Sequence, residues 1–393
     1  MPLRDRDIVC LSTHYWDERR FRKQEFMARF AESNRVLFVE PSFSMARRAE
    51  LHLREVATNH PLRARAEERG GNVHLLKPPR ALPKWTNPTV ERITYAWHGA
   101  VVGRAVRRLG FRDPILWVYR PGYLHGLRSI PHAQLVFDLV DDLSAYGGAD
   151  DPNVEASVTE LARRADLLVV TALTLAERYG AGARRVVHIA NGFDADRFAP
   201  EAIAAPAPAE LDGIPRPILG FAGTLFPYLD FELLEQVAAR NEHMSLVLVG
   251  PVEAGSADAV ERLARRPNVH HLGAQPQAAV PRFVAAFDVC LNVFKRGRVA
   301  DSVNPLKVYE YLAAGRPVVS SPMEALQRED AAHVVAFADG VDEFCAAIDR
   351  SLAEDGPDAA EQRRTAVAPY SWERLFERLS DACESALATP RAA

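Results

Sequence analysis

Lys307 and Glu310 stand three residues apart in the run Asn304-Pro305-Leu306-Lys307-Val308-Tyr309-Glu310-Tyr311-Leu312-Ala313-Ala314-Gly315. On a helix that spacing puts both on one face, about one turn from the N-terminus. A helix N-terminus presents unpaired N–H groups and a partial positive charge, so a phosphate binds there, and Lys307 is placed to share the load. Glu310 is then a carboxylate that accepts two hydrogen bonds from vicinal hydroxyls, such as those of a ribose attached to the phosphates. The competing reading is a solvated Lys–Glu pair on an ordinary surface helix.

The neighbouring residues must position this pair. Asn304 is expected to be the N-cap, its side-chain oxygen taking a helix N–H, with Pro305 at the first helical position. Gly315 should stop the helix and Pro317-Val318-Val319 should open a short buried strand. Taken together, Asn304 to Lys307, Glu310 to Gly315 and Pro317 to Val319 resemble the donor-binding segment of the retaining nucleotide-sugar glycosyltransferases of the GT-B fold, family 4 and its relatives. The resemblance implies an α/β architecture of two Rossmann-like parallel-sheet domains facing each other across a cleft. It also implies that Glu310 binds the donor ribose and that Asn304, Pro305, Leu306 and Lys307 belong to the donor site. Where several such enzymes carry a second acidic residue, eight positions before Glu310, this chain has Ser302, with Asp301 one step away.

Composition sets the outer bounds. The chain has 393 residues, near-average charged content and a formal net charge of −4, which predicts two globular domains and argues against bulk nucleic-acid binding. Cys10, Cys290, Cys345 and Cys383 are widely spaced with no C-x-x-C pair, so neither zinc nor a disulfide framework is expected and a reducing compartment is. The charged start meets only a short apolar run, and no apolar stretch approaches the roughly 20 residues that span a bilayer. The expectation is a cytoplasmic protein without resident metal or cofactor.

Read in order, apolar strands alternate with helices from residue 8 onward, which implies parallel sheets. The segment after the first strand is Ser12-Thr13-His14-Tyr15-Trp16, which lacks the G-x-G-x-x-G of a dinucleotide oxidoreductase. His14, Arg19 and Arg22 are candidates to point toward a ligand. Residues 43–72, rich in Arg and Glu, are expected to form a helix and a connection. Residues 80–128 hold nine Lys or Arg against two acids, interleaved with Trp85, Tyr95, Trp97, Phe111, Trp117, Tyr119 and Tyr123. That mixture suits a peripheral contact with the inner membrane face or a lipid-linked pyrophosphate acceptor and would equally suit nucleic acid; the competing and slightly favoured reading is a helix at 89–109 that hides its aromatics in the core and shows its arginines to water. Asp138, Asp141 and Asp142 close the strand at 134–140, where parallel sheets bind ligands; a helix cap, a loop-fixing acid or an acceptor-binding acid are the open roles.

Asn191-Gly192-Phe193-Asp194 is a tight turn by its chemistry, and residues 201–215, rich in Ala and Pro, read as a linker. The expected domains are 1–200 on the acceptor side, 216–370 binding the donor, and a terminal helix from 371 that returns to the first. In the second domain Gly223 permits a close backbone approach and Thr224 offers a hydroxyl and an N–H to phosphates. Gly273 is placed to read a pyrimidine base, and Lys295, Arg296 and Arg298 supplement Lys307. The resemblance implies transfer of a sugar from a nucleotide diphosphate sugar, with UDP as the expected nucleotide, to a glycan or lipid-linked acceptor, with Lys307, Glu310, Asp142 and His14 as the catalytic candidates. A nucleotide-sugar epimerase and a non-catalytic sugar-nucleotide binder of the same fold are the alternatives.

Overall fold

The computed structural model describes residues 3–17, 20–42, 63–79, 88–145 and 152–387. Arg19, Trp85 and most of the expected helix within 43–72 lie outside the described residues.

The chain divides into two compact units, one of residues 1–189 with 376–393, the other of residues 190–375. In the first, β1 (Asp7–Leu11), β2 (Arg35–Val39), β3 (Arg65–Glu68), β4 (Val73–Lys77), β5 (Ile115–Val118), β6 (Gln134–Leu139), β7 (Leu167–Val170) and β8 (Val186–His188) form one sheet in the order β3-β4-β2-β1-β5-β6-β7-β8. All pairs are parallel except β3 with β4. Strands such as Ile115-Leu116-Trp117-Val118 are apolar at every position because helices cover both faces of a parallel sheet. The β3–β4 hairpin puts a strand at the end of the 43–72 stretch, where a helix and a connection were expected: Arg-Ala-Glu-Glu has no apolar pattern, being the exposed outer strand.

Helix α1 (Arg22–Ala31) follows β1, and α2 (Pro88–Arg108) precedes β5. On and around α2, Tyr95, Phe111, Trp117, Tyr119 and Tyr123 are all buried, while Arg92, Arg104, Arg107 and Arg108 are exposed. The basic–aromatic mixture is thus largely a core with a solvated charged rim, with Trp97 half-buried. Helices α3 (Pro152–Arg164) and α4 (Leu173–Tyr179) complete the alternation. No described helix is long and apolar enough to cross a membrane.

The second unit has a six-stranded, wholly parallel sheet: β9 (Ile218–Ala222), β10 (Ser245–Val249), β11 (Val269–His271), β12 (Val289–Asn292), β13 (Val318–Ser320) and β14 (Val335–Phe337), in the order β11-β10-β9-β12-β13-β14. This is the doubly wound order in which the direction of strand addition across the sheet reverses between the first strand and the fourth. The reversal lies between β9 and β12, and the loops leaving their C-terminal ends diverge there to leave a crevice. Helices α5 (Phe231–Arg240), α6 (Arg298–Ser302), α7 (Leu306–Ala313) and α8 (Gly340–Ala353) pack around it. The last helix, α9 (Trp372–Leu387), joins the first unit from Phe376 on: Phe376 meets the Phe30 ring at 4.8 Å, and Ser380 Oγ accepts the Leu3 N–H at 2.8 Å.

Candidate functional site

Lys307 and Glu310 lie on α7, whose N-terminus opens at the C-terminal end of β12. The entry to that helix differs from the expected cap. The helix starts at Leu306, Pro305 is the N-cap with extended backbone, and no side chain caps it. Asn304 is turned inward instead: its Oδ1 accepts the Asn191 N–H at 3.0 Å, and its Nδ2 donates to Tyr309 Oη at 2.9 Å and Glu329 Oε1 at 3.0 Å. Asn191 Nδ2 donates back to the Asn304 carbonyl at 2.8 Å. Tyr370 Oη donates to Glu329 Oε2 at 3.1 Å, and the Tyr309 and Tyr370 rings stack at 4.6 Å. A carboxamide this deeply engaged has nothing left for the helix amides. With Pro305 carrying no N–H, the free amides at the helix start belong to residues after it.

Lys307 reaches from α7 to the end of β9. A Cβ placed on Gly223 would sit 3.1 Å from Lys307 Cε, a close contact that the lysine chain would have to yield to, and the φ of +152° favours glycine there. Gly223 does not offer its N–H, however: that group donates to Val249 O at 2.8 Å, continuing the ladder to β10. The part of Gly223 in the site is its missing side chain, not its amide. Gly250, the next strand end, is tighter still, since a Cβ there would lie 1.9 Å from Gly223 O. The Gly250 N–H in turn donates to Gly273 O at 2.8 Å, so the glycines after β9, β10 and β11 form one row. The Gly273 carbonyl thus accepts one bond within this row and keeps its second lone pair. Tyr311 holds the β9 end in place, its hydroxyl accepting the Ala222 N–H at 2.8 Å and donating to Ala222 O at 3.1 Å.

Glu310, 7% exposed, is buried among the core residues of α7, while Thr224 and Arg298 are half-buried. Ser302, at the place of the second acid, is buried and donates back to Val299 O at 3.2 Å, as helical serines do. Two of the supplementary cations are committed to structure. Lys295 Nζ donates to Pro227 O at 2.8 Å, and Arg296 donates to Pro322 O at 3.1 Å and pairs with Asp339 at 3.4 Å.

In the first unit, Arg22 and Asp138 form a buried pair, Nε to Oδ1 3.1 Å, with Arg22 Nη1 also donating to Ile189 O at 2.9 Å. Arg22 therefore points into the sheet and not toward a ligand. Asp142, 1% exposed, accepts from Ser144 Oγ at 2.8 Å and Tyr179 Oη at 2.9 Å. Of its three open roles, this geometry is that of a loop-fixing acid. His14 is half-buried, its Nδ1 3.0 Å from Thr13 Oγ1 and its ring 4.7 Å from that of Phe21. Burial foremost, then the nearby positive charges of Lys23 and Arg120, push its pKa down from 6.5 to about 3. It is a neutral imidazole at any ordinary pH.

Residues 216–354 match the protein family "Glycosyl transferases group 1". Over 202 residues the chain is 28% identical to TuaH of Bacillus subtilis (strain 168), a protein assigned to teichuronic acid biosynthesis as a glycosyltransferase; the match covers 51% of each, so the chain spans about half the length of that curated relative. Among solved structures it is similar to sucrose-phosphate synthase from Thermosynechococcus elongatus, with TM-score 0.73, 15% identity and 98% and 99% of the two chains covered. An E. coli trehalose-6-phosphate structure bound with UDP-2-fluoro glucose gives TM-score 0.73 at 14% identity, over 98% and 100% of the chains. HepE of Anabaena, in complex with UDP and glucose, gives 0.68 at 14% over 97% and 100%. The chain has the GT-B fold.

Within the second GT-B unit, the residues that sequence reasoning missed are those that hold the site in shape. Glu329, Tyr309 and Tyr370 read as ordinary helix and loop residues, and Asn191 as part of a turn. Phe294 lines one side of a cavity of about 180 Å³ together with Asp230, Leu233, Arg296, Ser321 and Asp339. That cavity lies to one side of Lys307 and Glu310, neither of which lines it.

Proposed function

We propose that the chain is a glycosyltransferase that moves a sugar from a nucleotide diphosphate sugar, a UDP-sugar first, to a hydroxyl of a glycan or lipid-linked acceptor in surface polysaccharide synthesis, with retention of anomeric configuration. The observation that carries the reading is Lys307: its ammonium is brought to the crevice between β9 and β12, beside Gly223, on the helix that also carries Glu310. Support comes from the group 1 match over 216–354 and the likeness to TuaH. UDP is taken from the solved neighbours that carry it.

Cleavage of the glycosidic bond leaves new negative charge on the departing diphosphate. What the reaction needs most is positive potential set in place beforehand. Lys307 and the first amides of α7 supply it, Gly223 leaves room for the phosphates, and Glu310 takes the ribose hydroxyls. Because protein groups meet the charge, the proposal includes no metal. His14, neutral throughout, serves as a hydrogen-bonding residue for the acceptor and does not serve as a titrating base.

The test is a thermal-shift panel of UDP-, GDP- and ADP-sugars, followed by assay of the stabilising donor with and without acceptor and with EDTA. A donor at a hundred times its dissociation constant should stabilise by about 2.7 kcal/mol. Transfer that persists in EDTA is expected. Conversion of donor to an epimer without acceptor, or binding without any turnover, overturns the reading.

A further inference from the structure

Three phenyl rings surround the Lys307 ammonium. Its Nζ lies 4.9 Å from the centroid of Phe221, 5.4 Å from that of Phe226 and 5.2 Å from that of Phe294. Each distance is within the roughly 6 Å over which a ring face attracts a cation. We infer that Phe221, Phe226 and Phe294 form a cage that positions Lys307 for a nucleoside diphosphate, and that Phe226 and Phe294 are positioning residues for the reaction. The inference rests on the donor reading of Lys307 and deepens it.

The rings come from three places that the fold brings together at the sheet's reversal point. Phe221 is on β9, Phe226 in the loop that follows it, and Phe294 just after β12. That loop is pinned on both sides. Leu225 N–H donates to Pro251 O at 2.8 Å, Lys295 N–H donates to Tyr228 O at 2.9 Å, and Leu229 bridges to Phe294. The Phe226 and Phe294 rings themselves meet edge to face at 5.5 Å. The cage is therefore part of the sheet's extension and needs no ligand to assemble it.

The physical consequence lies in how the ammonium is held. A ring attracts a cation through its quadrupole and leaves the cation's formal charge in place. A long, flexible lysine otherwise loses rotamer freedom when it binds, and a cage that restricts it beforehand removes much of that loss. Rings also keep bulk water from the ammonium, so its attraction for an incoming diphosphate is less screened.

The test measures binding of UDP, and of uridine as the probe without phosphates, to the full chain carrying Phe226→Leu, Phe226→Tyr, Phe294→Leu, Lys307→Met, and Lys307→Met combined with Phe226→Leu. Phe226 is half-buried, so its variants should fold, and thermal melts check this. The expected result is a loss of UDP affinity of about three- to tenfold in Phe226→Leu and Phe294→Leu. Uridine affinity should be unchanged, Phe226→Tyr should bind like the parent, and Phe226→Leu should add nothing in the Lys307→Met background. If Lys307→Met loses UDP but Phe226→Leu binds it as the parent does, or Leu and Tyr behave alike, the cage has no positioning role. Loss of UDP and uridine together in Phe226→Leu likewise overturns it. If Lys307→Met binds UDP undiminished, the donor reading falls and this inference with it.

Discussion

Asn304 and Asn191 hold each other by two hydrogen bonds, side chain to backbone in both directions, across 113 residues of sequence. The pair ties the turn at Asn191-Gly192 to the residue before α7, and Glu329 and Tyr309 occupy the remaining donor capacity of Asn304. The position of the helix carrying Lys307 is thus set by a buried polar network.

Replacing Asn304 by Ala leaves the Asn191 N–H and a Glu329 oxygen buried without this partner. The expected loss is about 2–3 kcal/mol in a urea unfolding measurement. Ser302→Ala, which removes only a bond to its own helix, should change stability by less than about 1 kcal/mol.

Glu310→Gln should weaken UDP and uridine by the same factor, about ten- to hundredfold, because the ribose is common to both. Calorimetric titration with each ligand checks this. A variant that loses UDP but keeps uridine would place Glu310 at the phosphates instead.

Gly250→Ala puts a methyl against a backbone oxygen of Gly223, a contact that no side-chain movement relieves. We expect a destabilisation above about 3 kcal/mol, or insoluble protein. Gly273→Ala is the control: φ is +69° but nothing lies within 4 Å, so the cost is that of backbone strain alone, about 1 kcal/mol.

Arg22→Met, which strands the Asp138 carboxylate in the sheet, should destabilise the first unit by about 3–5 kcal/mol, and Arg22→Met with Asp138→Leu should recover much of the loss. The comparison is made by denaturant midpoint. Equal destabilisation by the single and double variants would contradict a charge-pair origin.

His14 binds a proton less readily folded, at about pH 3, than unfolded, near 6.5. Between these values the unfolded chain carries the extra proton, so this residue's contribution is full above pH 6.5 and is lost as pH falls toward 3. His14→Gln should flatten that part of the stability–pH curve. No limb near pH 6.5 assignable to this residue should appear in the rate profile.

Much of the architecture was legible because parallel strands covered on both faces leave unmistakable apolar runs, as at Ser245 to Val249 and Val289 to Asn292. Arg65–Glu68 was not, since an outer strand exposed to water carries no such signature. The helix with Lys307 and Glu310 was located correctly, yet its cap was misread. Asn before Pro obeys a local capping rule, while the partners that claim Asn304 are distant in sequence. Phe221, Phe226 and Phe294 carried no spacing signal, because rings from separate strand ends converge only after the sheet has formed. The acids in and after β6 were ambiguous for the same reason: only tertiary neighbours show Asp138 paired with Arg22 and Asp142 bonded to Tyr179.

Strand β3 bears on how copies of the chain behave toward one another. It pairs with β4 along its full length, and its outward row is Arg65, Ala66, Glu67 and Glu68, mostly exposed. Beneath it, β4 carries buried Leu75 and Leu76, the kind of strand that recruits a foreign one if its flank is bared. Charges along the outer margin deter such stacking. A nick or deletion that strips β3 away would turn a self-contained sheet into one open to intermolecular growth.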